Sequence, residues 1–326
     1  MAQDTLDRLG QVWSLDAPTQ RRRMLIIVNP YATTVSERLR HLVVYALQGR
    51  YEVTAIDTQR QGHATELCRE AASEGYDVVV AFGGDGTVNE AANGLAGSDV
   101  PLTCLPGGRT NVFCRLLGIP NDIVDATEHL LRVADDWEPR RVDLPRVNGR
   151  HFTFASGIGI DASVVERVDR HPRLKTRLGA WYFTWSAVRA FVTQYVRDPP
   201  RMEVALPDGT TVAGVSAIVQ NTDPYTFFHS RPITLIAGGT LDDGMLRGVV
   251  LRSSRPTILP TLVWRLVSRR AQVTRHRAVT GFDGVQEVVV RSTDGRGIPL
   301  EVDGDFIGEV TEARFEIAPR ALLVVA

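Results

Sequence analysis

Phe82-Gly-Gly-Asp-Gly-Thr-Val-Asn-Glu90 is the stretch on which the reading of this chain turns. The residues leading into it, Tyr76-Asp-Val-Val-Val-Ala-Phe82, form an apolar run of the kind that suits a parallel strand covered by helices on both faces. The glycines allow tight backbone geometry, and a helix is expected to begin near Thr87, so that exposed N–H groups at the strand end can hold a phosphate. A carboxylate among such donors, Asp85, makes chemical sense if it engages Mg²⁺, directly or through water, rather than repelling a nucleotide. The competing reading is a plain structural Gly-Asp-Gly turn.

Upstream, Met24-Leu-Ile-Ile-Val28 reads as a buried strand ending at Asn29-Pro30, and Ser36–Ala46 as a helix with Leu39, Leu42 and Val43 on one face. Tyr51–Ile56 is a second strand and His63–Ser73 a second helix. Downstream, Val100–Leu105 is another strand, followed by Pro106-Gly-Gly-Arg-Thr-Asn111 and the apolar segment Val112–Leu117. In this second loop Gly107 and Gly108 permit close approach, while Thr110 and Asn111 offer hydrogen-bonding groups. Two glycine loops after strands of one sheet mark the usual ligand edge of an α/β domain. Neither fits GxxxxGK[ST] or GxGxxG, which argues against an ordinary P-loop NTPase or a NAD-dependent oxidoreductase.

Beyond about Pro145 the texture changes to short apolar strands around Phe152, Val204, Ala217, Leu235, Leu246, Val288 and Phe315, separated by Gly, Pro and Asp turns. Helical stretches around Lys175–Tyr195 and Thr257–Arg270 interrupt them. A length of 326 residues favours two domains. With 37 Lys plus Arg against 38 Asp plus Glu, the net charge of -1 lacks the field of a dedicated nucleic-acid binder. Cys68, Cys104 and Cys114 have neither disulfide-framework nor zinc-site spacing, and the apolar run Met24–Val28 is far shorter than the ~20 residues of a membrane span. A cytoplasmic protein is the expectation.

The order of motifs resembles the diacylglycerol kinase catalytic family, the lipid kinases that include bacterial diacylglycerol kinases and sphingosine kinases and are related to NAD kinase. The resemblance rests on Val28-Asn-Pro30, Gly83-Gly-Asp-Gly-Thr-Val-Asn-Glu90, Leu105-Pro-Gly-Gly-Arg-Thr-Asn-Val-Phe-Cys-Arg115, Val142-Asp-Leu144, Gly157-Ile-Gly-Ile-Asp161 and Val302-Asp-Gly-Asp305, in family order over nearly the whole chain. It implies an α/β nucleotide-binding domain over 1–145, with residues 1–20 as a lead-in. It further implies a β-sandwich-like lipid-substrate domain with helical insertions over 146–322, an active site in the cleft between them, and a last segment, 323–326, returning to the first domain.

The resemblance also assigns roles. ATP would be the phosphate donor and Mg²⁺ the cation. Asp85 and Asp143 would belong to a magnesium-centred acidic network, with Gly83, Gly84, Gly86 and Thr87 around the phosphates, and Asn29, Thr58, Gly108 and Asn111 near the nucleotide. The family's Asp-Gly-Glu motif stands here as Asp303-Gly304-Asp305. Asp303 is expected to be the essential acid and Asp305 the residue aligned with the catalytic glutamate, the pair orienting the acceptor hydroxyl and taking its proton. A surface turn with two solvated aspartates is the alternative. Leu241-Asp-Asp-Gly-Met-Leu246 resembles an Asp-Gly element in which Asp243 supports a structural Mg²⁺, the alternative being a hairpin turn.

Two positions depart from the family's Gly-Thr-x-Asn-Asp: Arg109 replaces Thr and Val112 replaces an acid. The Arg109 guanidinium would either clamp a phosphate or obstruct the nucleotide and pair with Asp85. Trp181, Tyr182, Phe183 and Trp185, preceded by Arg167, Arg170, Arg173, Lys175 and Arg177, suit a lipid entrance with a basic rim or a core-packed helix. From Gly244 to Phe282 there is no acidic residue, while Arg247, Arg252, Arg255, Arg265, Arg269, Arg270, Arg275 and Arg277 accumulate, a pattern for transient contact with an anionic membrane surface. Leu259, Leu262, Val263, Leu266 and Val267 would otherwise form an ordinary core stripe. His63, His171, His229 and His276 lack metal-ligand spacing.

The function expected is ATP-dependent phosphorylation of a lipid hydroxyl, with diacylglycerol to phosphatidic acid as the family-centred reaction. A sphingoid-base or other lipid kinase, NAD kinase and a non-catalytic nucleotide or lipid sensor are the alternatives. The partners expected are the lipid and the inner face of the membrane, with no nucleic acid and a homodimer left open.

Overall fold

The protein is described from a computed structural model covering residues 21–160, 162–163, 199–228, 230–268 and 271–326. The lead-in 1–20, Asp161, the Lys175–Tyr195 stretch with its aromatics and preceding basic residues, His171, His229, Arg269 and Arg270 lie outside the described residues.

The first unit alternates strand and helix: β1 (Arg22–Val28), α1 (Glu37–Leu47), β2 (Tyr51–Asp57), α2 (His63–Ser73), β3 (Val78–Gly83), α3 (Asp85–Leu95) and β4 (Leu102–Pro106). These strands pair in parallel in the order β2-β1-β3-β4. Every residue of β3 is buried, as its continuous apolar run requires. The short α4 (Val112–Leu116) and α5 (Ile123–Val133) follow, α5 capped by Asp122, whose carboxylate accepts from the Val124 N–H at 2.8 Å. α3 starts at Asp85, two residues before the predicted Thr87, because extended Gly84 serves as its N-cap.

The second unit begins with β5 (Arg140–Val147), β6 (Arg150–His151) and β7 (Ala155–Ile158). It continues through β8 (Met202–Ala205), β9 (Thr211–Gly214), β10 (Ser216–Gln220), β11 (Thr226–Phe228), β12 (Arg231–Ile233) and β13 (Leu246–Leu251). After α6 (Leu259–Val267) come β14 (Val279–Val285), β15 (Glu287–Ser292), β16 (Ile298–Val302), β17 (Asp305–Val310) and β18 (Glu312–Val324). The predicted strand at Leu235 is instead a buried loop position after β12. A six-stranded sheet, β14-β13-β10-β7-β16-β17, packs against the β5, β8, β15 and β18 part of the larger sheet. The shared core includes Phe152, Met202, Leu246, Val288, Leu300 and Phe315, which gives the unit its sandwich character.

β18 belongs to both units. Its first half pairs with β15, its whole second half with β5, and Val324 pairs in parallel with Leu102 of β4. Leu322, Val324 and Val325 thereby join the core of the first unit. The strand is interrupted by a bulge between Ala318 and Leu322, where Arg320 takes a left-handed φ of 53°. Among the described residues no helix is long and apolar enough to cross a membrane.

Candidate active site

The two glycine loops lie backbone against backbone. β3 and β4 end together at Gly83 and Pro106, and the Gly107 N–H donates to the Gly83 carbonyl at 2.8 Å. A Cβ on Gly108 would stand 2.8 Å from Gly84 Cα, and one on Gly107 2.9 Å from Gly83 Cα. Any side chain there must push the loops apart, so Gly108→Ala is expected to lower the melting temperature by about 2–6 °C in a thermal melt.

Asn111, at a left-handed φ of 47°, locks the second loop from inside. Its amide donates to the Gly108 carbonyl at 3.0 Å and to Asn121 Oδ1 at 2.8 Å, and its Oδ1 accepts from the Gly108 N–H at 2.8 Å. Both amide protons are therefore in use, and Asn111 shapes the second glycine loop from within.

A cleft of about 400 Å³ opens above these loops, walled by Asn29, Thr58, Gly84, Gly86, Thr87 and Gly108. Asn29 donates to Thr87 Oγ1 at 3.1 Å, joining the end of β1 to the first turn of α3. Gly83 lies fully buried beneath, and Arg109 is exposed at the loop tip, off the cleft wall. Glu90, which sequence reasoning did not single out, accepts from the N–H groups of Gly62 at 2.8 Å and Ala64 at 3.1 Å. It caps α2 from α3, since Gly62 carries no side chain to do so, and fixes the 58–62 segment of the cleft wall.

Asp85 accepts from the Val112 N–H at 2.6 Å. The Thr110 hydroxyl and the Phe113 N–H also favour its charged form, yet burial, followed by the neighbouring Asp303 charge, pushes it up to about 6 from an ordinary 3.8. A carboxyl whose folded value is raised adds stability below pH about 4 and loses it as the pH climbs through 6. Asp85→Asn is accordingly expected to flatten the pH dependence of the melting temperature between pH 4 and 6, as melts across that range would show.

The Asp303-Gly304-Asp305 turn divides its two acids. Asp303 is 5% exposed, which excludes a solvated turn residue. Its Oδ2 accepts from Asn89 Nδ2 (2.7 Å), Thr153 N (2.7 Å) and Thr153 Oγ1 (2.8 Å), and its Oδ1 from Phe154 N (3.1 Å) and Ala155 N (3.2 Å). With its lone pairs so occupied, Asp303 fastens the β16–β17 hairpin to α3 and to the segment that leads from β6 into β7. Burial still holds its carboxyl above the ordinary value. Asp305 is the acid that reaches the cleft: its Oδ2 stands 2.8 Å from where a Cβ on Gly86 would be. The buried Glu301 braces the turn, accepting from the Gly304 N–H at 2.7 Å.

The structure places Asp143 and Asp243 elsewhere. Asp143 accepts from the N–H groups of Gly244 and Arg320, each at 2.7 Å. Ala321, next to Arg320, bonds Gly97 just past the end of α3, so α3, about 16 Å long, separates Asp143 from Asp85. Asp143 thus stands in a clamp between β5, β18 and the 241–244 turn. Asp243 accepts from the Thr240 and Met245 N–H groups and pairs with Arg247 Nη2 at 2.7 Å. Arg247, 4% exposed, also pairs with Asp283 at 3.0 Å. Among the described residues no three His, Cys, Asp or Glu gather to hold a metal. His63 accepts from the Gln59 N–H at 3.1 Å, and His276 lies 3.0 Å from Thr261 Oγ1, both local contacts.

The geometry can now be set beside known proteins. Residues 23–143 match the diacylglycerol kinase catalytic domain. The diacylglycerol kinase of Staphylococcus aureus (strain bovine RF122 / ET3-1) is 28% identical over 302 residues, which cover 89% of this chain and 88% of that protein. The diacylglycerol kinase of Bacillus subtilis (strain 168) is 36% identical over 165 residues, 48% of this chain and 52% of that protein. A crystal structure of a diacylglycerol kinase from Bacillus anthracis str. Sterne shares the fold with a TM-score of 0.68 at 21% identity, over 94% of this chain and 98% of that one. The domain match falls on the glycine loops and the likeness continues through the second unit, and together these matches support the diacylglycerol kinase catalytic family.

Proposed function

We propose that this chain transfers the γ-phosphoryl group of ATP to a lipid hydroxyl, with diacylglycerol as the acceptor and phosphatidic acid as the product. The observation that carries the reading is Asp305, borne by the second unit and standing over Gly86 in the glycine loop of the first. The first turn of α3 offers N–H groups and a positive helix end to the phosphates, and Gly86 and Gly108 let them approach the backbone. Asp305 takes the proton of the acceptor hydroxyl as it attacks, and Asp303 keeps Asp305 in place through the hairpin.

Mg²⁺ fits this cleft. The Asp85 carboxyl is raised partly by the charge of Asp303, an excess of negative charge that a cation relieves. Asp85 and Asp305 would hold the ion together with nucleotide phosphates, the mixed set Mg²⁺ prefers, and the bound ion supplies charge neutralisation. Val112 leaves no third acid: its side chain packs on Phe154 and Ala155 while its N–H holds Asp85.

We also infer that α6 rests on an anionic bilayer. Ile258 and Leu262 face the core, whereas Val263 and Trp264 on the opposite face are 53% and 62% exposed. Exposed Arg252, Arg255, Arg275 and Arg277 flank this helix within the acid-free 244–282 segment. An apolar outer face with a basic rim matches anionic lipid, and in a two-fold contact with a second copy it would set like charges together.

The test is phosphate transfer from labelled ATP with Mg²⁺ to a lipid panel in anionic mixed micelles, with NAD as a parallel acceptor. Transfer to diacylglycerol supports the reading, and nucleotide binding without transfer to any lipid overturns it. Flotation with phosphatidylglycerol-containing and with pure phosphatidylcholine vesicles tests α6: binding to the former only, lost in Trp264→Ser, is expected.

A further inference from the structure

The end of β10 carries buried polar groups that find no partner among the described residues. Gln220 and Asn221 are 0% and 1% exposed. The Gln220 Oε1, both side-chain polar atoms of Asn221, and the buried Asp223 Oδ1 accept or donate no hydrogen bond among the described residues. Folded proteins satisfy nearly all such atoms, because each unmet group loses its hydration with nothing in return. Four orphaned atoms within four residues mark a place that something else completes.

Their position says what. Gln220 lies opposite Ala155 across the sheet, and the Ala155 N–H holds Asp303. Just beyond, Tyr225 and Phe227 pack with Phe154 and Val112, and the Val112 N–H holds Asp85. The segment therefore borders the residues that hold Asp303 and Asp85, on the second-unit side of the site. The Arg247 guanidinium, held by Asp243 and Asp283, donates to the Asn221 carbonyl and fixes the backbone there while leaving its amide unengaged.

We propose that Gln220, Asn221 and Asp223, roofed by Phe154, Tyr225 and Phe227, form the subsite for the polar end of an acylglycerol. The Asn221 amide donates to an ester carbonyl. Gln220 Oε1 accepts from the acceptor hydroxyl as the lipid docks, the proton passing to Asp305 when the nucleotide is in place, and Asp223 Oδ1 accepts from a second hydroxyl or a water at the glycerol end. The aromatic side chains cover the glycerol and the first acyl carbons, the apolar wall with few polar groups that small-molecule sites share. The assignment rests on the lipid-kinase reading.

Asn221→Leu provides the test, with short-chain dioctanoylglycerol as the probe. The expected result is a KM for dioctanoylglycerol raised about tenfold or more, an unchanged KM for ATP, and a melting temperature equal to or above wild type, since an unmet polar group has been removed. The wild-type preference for dioctanoylglycerol over its ether analogue, which lacks the carbonyls, should vanish in the variant. Equilibrium binding of dioctanoylglycerol without ATP separates the two readings: weakened binding in Asn221→Leu upholds the subsite even where no lipid is phosphorylated. Unchanged binding and KM, no binding by the wild type, or a fall in melting temperature with both KM values altered would overturn it, the last showing that Asn221 holds a structural water.

Discussion

Asp305→Asn is expected to lower kcat for lipid phosphorylation by about 100- to 10,000-fold, the range that a positioned general base contributes. The loss should come without unfolding, because Asp305 is half-buried at the cleft wall and the hairpin beneath it is held by Asp303 and Glu301. The amide keeps the size of the side chain and removes its capacity to take a proton. Asp305→Glu restores the carboxylate with one more methylene, extending into the cleft above Gly86, and should keep most of the activity. Rates with dioctanoylglycerol and melts of the same preparations check both. Full activity in Asp305→Asn would remove this residue from the chemistry.

Asp303→Ala should behave in the opposite manner. It strands the Asn89 amide, the Thr153 hydroxyl and three backbone N–H groups in a buried site, and is expected to cost about 3 kcal/mol or more of unfolding free energy, measured by urea denaturation. Asp303→Asn keeps a side chain that tolerates the φ of 49° but turns a donor toward donors, so an intermediate loss is expected. Activity should fall in step with stability in both. Two acids separated by one glycine are thus distinguished by pairing denaturation with kinetics, which activity alone would not achieve.

What the sequence made legible was short-range. β3 follows from seven consecutive residues, α2 runs over His63–Ser73 as its periodicity predicts, and the two glycine loops follow from their own composition. What it hid was set by distant partners. Nothing local to Asp303-Gly304-Asp305 says which acid turns inward: that is decided by Asn89, 214 residues away, and by Thr153. Asp143 meets the N–H groups of Gly244 and Arg320, 101 and 177 residues away, and nothing beside it in the chain announces either. Glu90 gave no signal because its work lies at the start of another helix. The orphaned amide of Asn221 is invisible in sequence, since a missing partner shows only when every neighbour is in place.

β18 gives the molecule a mechanical character. A strand that is sewn to β15 at one end and to β4 at the other acts as a beam laid across both halves, so the cleft does not gape like a jaw on a free hinge. The beam has one flexure, the bulge at Arg320, and Asp143 is bolted to that point. Opening of the cleft by bending of this strand is therefore concentrated at that flexure, where the ladder to β5 is already broken, and not shared evenly along its length.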